Sequence, residues 1–285
     1  MDIDKCKMII WLASYPKSGN TWLRLFLRAY FLSDETEFSI NQEGENEFEA
    51  KTFPNIDILK KNKINYFEFE QIVKNWLSIQ DYINLNNRVN LLKTHNGNFN
   101  INGFPFTNTE NTIGGIYIVR DPRDVALSNA DHFNISHEEA VSNMNNMESY
   151  EFYDKNLNKG FKVSILGTWS SNYNSWKHYQ GRRIHLVKYE DMIKKPDDEF
   201  YKILEYLSSF IPFKIDKIKI RKAIKDTSFK NLSKMENEKG FKELGGGKKF
   251  FRKGIVGDWQ NNLDPKLVKT IEENFYKEMK ELGYI

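Results

Sequence analysis

Cysteine is nearly absent from this 285-residue chain: Cys6 stands alone, so neither an internal disulfide nor a cysteine-based metal site can form, and a reducing compartment is the natural home. Neither sign of charge is in large excess, since Lys+Arg 42 against Asp+Glu 39 leaves a net charge of +3. That balance argues against a general nucleic-acid or membrane-surface binder, whose basic residues would dominate. No apolar run approaches the ~18 residues of a transmembrane helix, and the short apolar stretch near the start runs into a polar loop where a signal peptide would carry a small-residue cleavage site. The expectation is a soluble, cytoplasmic protein without a membrane span. There is no internal repeat and no clustered His/Cys/carboxylate set of the kind that holds a metal. The abundant Asn, Lys and Ile reflect genome composition more plausibly than chemistry. The length suits one large α/β domain over residues 1–285 with a full core.

What is present is a series of short apolar runs separated by helical patterns. Residues 8–13, 89–93, 116–119 and 184–188 read as buried parallel strands. Residues 21–32, 67–77, 122–132, 168–178 and 200–207 are apolar on one helical face, and Leu267, Ile271, Phe275, Met279 and Leu282 mark a final helix that starts at Asp264-Pro265. This order implies βα units around a central parallel sheet with helices on both faces. Residues 33–65, 96–112 and 239–257, the last carrying Gly245-Gly246-Gly247, read as loops.

The first strand runs into Tyr15-Pro16-Lys17-Ser18-Gly19-Asn20-Thr21-Trp22 and then a helix. Such a turn aims free backbone N–H groups and a positive dipole end at one point, which makes an anion site. Gly19 lets the backbone approach a ligand, Lys17 brings a mobile charge, and Ser18, Asn20 and Thr21 add neutral donors. The nucleotide-triphosphate loop G-x-x-x-x-G-K-[ST] has its Lys after the second Gly. Here Lys17 precedes Ser18-Gly19, which argues against an ordinary kinase or ATPase.

Three further constellations carry chemistry. Lys93 and His95, in Lys93-Thr94-His95 at a strand end, alternate onto one face where ligands of open α/β sheets bind. Arg120 closes the next strand in Arg120-Asp121-Pro122-Arg123-Asp124, and Ser128 lies two turns on, so an Arg fork and a hydroxyl can converge on one oxyanion. Arg252-Lys253-Gly254, followed by Gly257-Asp258-Trp259, sets two cations in a flexible loop able to close on a phosphate.

Together these stretches closely resemble the motifs of the cytosolic-type sulfotransferases, which use 3′-phosphoadenosine 5′-phosphosulfate (PAPS). The first resembles their Y-P-K-S-G-T-T-W loop, the second their catalytic K-x-H, the third their 3′-phosphate motif and the fourth R-K-G-x-x-G-D-W. Lesser matches are Tyr189-Glu190-Asp191 to Y-E-D, Thr227-Ser228-Phe229 to T-S-F, and Gly167-Thr168-Trp169 to a G-S-W helix in which several relatives carry a His where this chain has Asn172. The resemblance spans residues 9–259 and implies a P-loop-like nucleotide-binding fold. It implies that Lys17 contacts the sulfate-bearing phosphate, that Trp22, Tyr189, Thr227 and Phe229 hold adenine, and that Arg120, Ser128, Arg252, Lys253 and Gly254 clamp the 3′-phosphate. It also implies that His95 takes the acceptor's proton while Lys93 supports the transferring oxygens. No metal is expected.

Two departures stand out. Asn96-Gly97 replaces the usual Leu-Pro after K-x-H, and residues 260–265 lack the K-x-x-x-T-V dimer motif of animal members, so that dimer is not implied. The resulting expectation is transfer of a sulfuryl group from PAPS to a hydroxyl, or less favourably an amine, of a small-molecule, lipid or glycan acceptor, leaving 3′,5′-bisphosphoadenosine (PAP). The soluble reading argues against the membrane-anchored Golgi glycan sulfotransferases. The alternatives are a P-loop kinase-like phosphotransferase, disfavoured by the loop order and by two separate basic sites, and a non-catalytic binder of 3′-phosphoadenosine nucleotides, disfavoured by the placement of His95.

Overall fold

The computed structural model of the chain describes residues 8–32, 38–41, 48–153, 161–179, 183–244, 249–251 and 253–285. Arg252 and Gly245-Gly246-Gly247 lie outside the described residues. The first apolar run forms strand β1 (Ile9–Ser14), buried along its whole length, as befits a central strand with both faces covered. In chain order there follow β2 (Lys51–Thr52), β3 (Asn90–Thr94), β4 (Asn100–Ile101), β5 (Phe104–Pro105), β6 (Thr112–Val119), β7 (Tyr150–Tyr153), β8 (Phe161–Ile165) and β9 (Ile184–Lys188). The main sheet has the order β2-β3-β1-β6-β9, and every neighbouring pair in it is parallel. Two antiparallel pairs, β4–β5 and β7–β8, stand apart from it.

Side chains of a strand alternate between faces, and β1 feeds two cores. Ile9, Trp11 and Ala13 pack with Trp76, Phe106, Trp169, Tyr173 and Trp176, whereas Ile10 and Leu12 pack with Leu23, Phe26, Leu27, Phe200 and Ile203. Helices Asn20–Leu32 and Pro196–Ser208 therefore cover one face of the sheet, and Trp76–Asn84 and Trp169–Lys177 the other. Because β3 and β6 lie on opposite sides of β1, the chain reverses direction across the sheet at this strand. Ala13 pairs with Thr94 on one side and Tyr117 on the other, which brings the carboxyl ends of three strands to the switch point where ligands of such sheets bind.

The elements depart from the sequence reading mainly where they are short. The 33–65 loop contains the two-residue edge strand β2 and a helix, Ile56–Lys61, and the 96–112 loop contains the β4–β5 pair. The helix expected over 67–77 is two, Phe69–Lys74 and Trp76–Asn84, separated at Asn75, whose φ −107 and ψ 6 leave the helical region. The final helix likewise breaks at Phe275 into Pro265–Asn274 and Tyr276–Glu281. The β7–β8 pair and helices His137–Met144, Tyr189–Lys194, Lys217–Asp226, Phe229–Lys239 and Trp259–Asn262 have no counterpart in the sequence reading.

Candidate active site

The loop after β1 is held open by its own backbone. Lys17 has φ 63 and Gly19 φ 107, and a Cβ added at Gly19 would lie 2.6 Å from the Tyr189 ring. Gly19→Ala is therefore expected to destabilise the fold by about 1–3 kcal/mol through strain and the displaced ring, read as a lowered melting temperature. Asn20 staples the loop to the strand: its side-chain amide donates to the Leu12 carbonyl at 2.9 Å and to Ser14 Oγ at 3.3 Å. Its side-chain donors are thus used within the fold, and what Asn20 offers an anion is its place in the first turn of the helix. Ser18 is fully buried, and its hydroxyl has no hydrogen-bond partner among the described residues.

A cavity of about 1100 Å³ opens from this loop along the carboxyl ends of the strands. Lys17 lies in it with Nζ 4.0 Å from the centre of the Phe250 ring. Burial, and then Arg120, push the Lys17 ammonium down to about 8, against the opposing charges of Glu243, Glu236 and Asp131. A cation–π contact of this kind is worth ~0.5–2 kcal/mol.

His95 lies across the cavity, just beyond β3. Its Nδ1 is 2.7 Å from the Ser14 carbonyl oxygen, a group that only accepts, so Nδ1 carries the proton and donates it. In the neutral ring Nε2 is then the acceptor. Burial and the nearby Lys93 push the imidazole down to about 3, which keeps it neutral across the physiological range. The position is fixed from behind: Asn172 donates to the His95 carbonyl at 3.1 Å and to the Leu166 carbonyl at 2.8 Å, and accepts from the Tyr117 hydroxyl at 2.9 Å. Asn172 is fully buried and works as a brace.

The remaining motifs meet around Arg120. Its guanidinium donates to the Lys17 carbonyl at 3.1 Å and to the Ile255 carbonyl at 3.3 Å, lies 4.5 Å from the Tyr189 ring centre, and leaves Nε without a partner among the described residues. Asp124 accepts from Gly257 N–H at 2.7 Å and Trp259 N–H at 3.0 Å, pinning the C-terminal motif to the Pro122–Phe133 helix. Arg123 is committed to Asp121, Glu272 and the Tyr284 carbonyl and stacks on Trp259. Gly254, at φ 63, packs so closely on Phe229 that a Cβ would approach the ring to 2.4 Å. Lys253 pairs with Asp258 at 2.9 Å, and Ser128 and Phe229 line the cavity. Trp22 meets Tyr189 and Phe200 edge-on, with its buried indole N–H unpartnered among the described residues. Thr227 is fully buried, its hydroxyl donating to the Ala223 carbonyl at 2.7 Å, so it supports Phe229 from a helix end and does not line the cavity.

Other charged groups in the cavity escaped the sequence reading. Glu243 accepts from Thr21 Oγ1 at 3.0 Å and from Arg24 at 2.6 Å; burial opposes its charge, but Arg24, Lys93 and Thr21 outweigh this and hold its carboxyl at about 2. His132 is pushed down to about 4 by burial, Lys17 and Lys93. Glu151, from β7, lies 3.6 Å from Lys93 Nζ. None belongs to a contiguous motif. Among the described residues no group of three His, Cys, Asp or Glu side chains is arranged to hold a metal ion, and no helix is long and apolar enough to cross a membrane.

The helix start after β1, the Lys93/His95 pair and Arg120 with Lys253 thus line one cavity. The sulfotransferase domain family matches residues 8–283, and the chain belongs to that family. It is 26% identical to cytosolic sulfotransferase 17 of Arabidopsis thaliana, over 96% of this chain and 75% of the relative. To sulfotransferase 1 family member D1 of Rattus norvegicus it is 25% identical, over 95% and 83%. The fold is shared with mouse sulfotransferase SULT7A1, solved in complex with PAP, at a TM-score of 0.58 and 20% identity over 96% of this chain and 85% of that one. It is also shared with a retinol dehydratase solved with androsterone and PAP, at 0.55 and 19% over 96% and 81%.

Proposed function

We propose that residues 1–285 form one sulfotransferase domain that moves the sulfuryl group of PAPS to an acceptor hydroxyl, with His95 as general base. The observation that carries this reading is the geometry of His95, whose Nδ1–H is tied to the Ser14 carbonyl while its neutral ring faces a cavity shared with Lys17 and Lys93. The acceptor oxygen attacks sulfur as Nε2 takes its proton; the acceptor O–S bond forms and the bond from sulfur to the bridging phosphate oxygen breaks. Lys17, Lys93 and the first-turn N–H groups of the Asn20–Leu32 helix stabilise the charge that develops on the departing PAP. Ser18, Gly19, Asn20 and Thr21 would cradle the 5′-phosphosulfate, and Trp22, Tyr189 and Phe229 would enclose adenine, with Thr227 behind them. Arg120, Ser128, Lys253 and Gly254 would take the 3′-phosphate together with Arg252, which lies outside the described residues. The PAP complexes of proteins sharing the fold support the cofactor, and the cytosolic names of relatives support a cytoplasmic location.

The test is steady-state transfer from PAPS to simple phenols and alcohols, with thermal-shift titration of PAP against ATP plus Mg²⁺. PAP should raise the melting temperature strongly and ATP little; the reverse result would favour a kinase. Arg252→Ala and Ser128→Ala should each weaken PAP at least ~10-fold, the scale of one charge-assisted hydrogen bond. Binding of AMP, which lacks the 3′ group, should hardly change. Equal losses for the two nucleotides by calorimetry would show that these residues do not read the 3′-phosphate.

A further inference from the structure

Asn96-Gly97, the departure that follows the Lys93/His95 pair, is the seat of the β7–β8 pair. The Asn96 side-chain carbonyl accepts from Ile165 N–H at 2.9 Å, and Gly97 N–H donates to the Ile165 carbonyl at 2.9 Å. From the other side the Trp176 indole donates to the Asn96 carbonyl at 2.9 Å. A Cβ at Gly97 would meet the Phe99 ring at 2.1 Å, so a side chain there would require that ring to move. In the ladder Tyr150 stands opposite Ile165 and Glu151 opposite Ser164, and the register shifts between Glu151 and Phe152. Such bulges re-aim side chains beside active sites. The docked pair thus delivers the Glu151 carboxylate, held by a hydrogen bond from the Ser164 side chain, to 3.6 Å from Lys93 Nζ.

We propose that Glu151 is a positioning residue of the transfer step, fixing the Lys93 ammonium toward the cavity and balancing the positive charge that His95 acquires on taking the acceptor's proton. The proposal rests on the sulfotransferase reading above. Lys93, Lys17 and a newly formed imidazolium would otherwise share a poorly solvated cavity, where like charges repel strongly. A carboxylate near the base stabilises the imidazolium without taking the proton itself. It forms no bond to substrate.

The charges around the pair come from several elements. Lys93 is faced by Glu151 from β7, by Arg24 from the Asn20–Leu32 helix and by Glu243. His95 is faced by Lys93, Glu151 and Arg24, and His132, from the Pro122–Phe133 helix, by Lys17, Glu151 and Lys93. Glu151 is the carboxylate acting on both members of the catalytic pair.

The experiment compares wild type, Glu151→Gln, Glu151→Asp and Ser164→Ala in steady-state transfer from PAPS across pH, with PAP titration and melting temperatures alongside. Glu151→Gln should lower kcat by about 10- to 100-fold, the scale of a misplaced catalytic group. Its PAP affinity should stay within about twofold of wild type. Without the carboxylate Lys93 loses its proton at lower pH, so the basic limb of kcat should move to lower pH in Glu151→Gln. Glu151→Asp should restore part of the rate and the wild-type limb, and Ser164→Ala should fall between. An unchanged kcat and pH profile in Glu151→Gln overturns the proposal. So does a loss confined to KM for amine-bearing acceptors, which would make Glu151 a reader of acceptor charge, or a fall in melting temperature and PAP binding in step with kcat that Glu151→Asp does not repair. His95→Ala and Lys17→Ala serve as references: if they too keep the wild-type rate, the sulfuryl-transfer reading fails, whereas if they collapse and Glu151→Gln does not, only the role of Glu151 fails.

Discussion

His95→Ala is expected to lower kcat for transfer from PAPS by about 10²- to 10⁴-fold, the usual contribution of a general base, while the Kd for PAP stays within about twofold. The loss should be smaller with a phenol, which gives up its proton readily, than with an aliphatic alcohol. The pH dependence follows from the depressed pKa. A free imidazole begins to protonate near 6.5, but His95 stays neutral down to about 3, so its proton-accepting form is available throughout the ordinary range. An acid limb in kcat/KM caused by His95 should appear only toward pH 3. A limb between pH 6 and 7 that vanishes in His95→Ala would overturn this description. The same shift has a sign for stability: the unfolded chain takes up the proton near 6.5 and the folded one only near 3. Stability therefore declines as pH falls through that window, and melting curves of His95→Ala should decline less.

Lys17→Ala should cost about 10²- to 10³-fold in kcat/KM for PAPS, comparable to loss of one preorganised oxyanion donor. Here too the buried charge sets the profile. In the empty site Lys17 is pushed down to about 8, so its charge is lost as pH rises through that value, and kcat/KM, which reports free enzyme, should fall on the alkaline side. Lys17→Arg should remove that limb even if its rate is low, because a guanidinium stays charged. Equal wild-type kcat/KM at pH 7 and pH 9 would remove Lys17 from its role.

The parts of this molecule that the sequence disclosed are those in which one contiguous stretch fixes both conformation and chemistry. A strand covered on both faces must be continuously apolar, which made β1 plain, and the loop after it needs Gly19 where the backbone turns and Tyr189 crowds in. Arg120, Asp124 and the Gly257-Asp258-Trp259 stretch could be read as motifs, although only the fold reveals that Asp124 ties two of them together. Strand β2 was hidden because its two exposed residues carry no alternation, and the breaks at Asn75 and Phe275 because the apolar period continues through both. Glu151 was invisible for a deeper reason. Its place beside Lys93 comes from a ladder docked on Asn96-Gly97, and no local pattern encodes a neighbour so far along the chain. The depressed pKa of His95 is likewise a property of enclosure, absent from any linear motif.

The ties from the Pro122–Phe133 helix to Gly257 and Trp259 join residues 133 and 135 positions apart. A ribosome adding about 5–20 residues per second therefore leaves the Asp124 carboxylate without these partners for roughly 7–27 seconds after it is made. During that interval the nascent chain holds the loop after β1 and the first strands but not the Ile255 segment that Arg120 ties to that loop. The order of synthesis thus makes the proposed nucleotide site wait on residues added long after the loop that begins it.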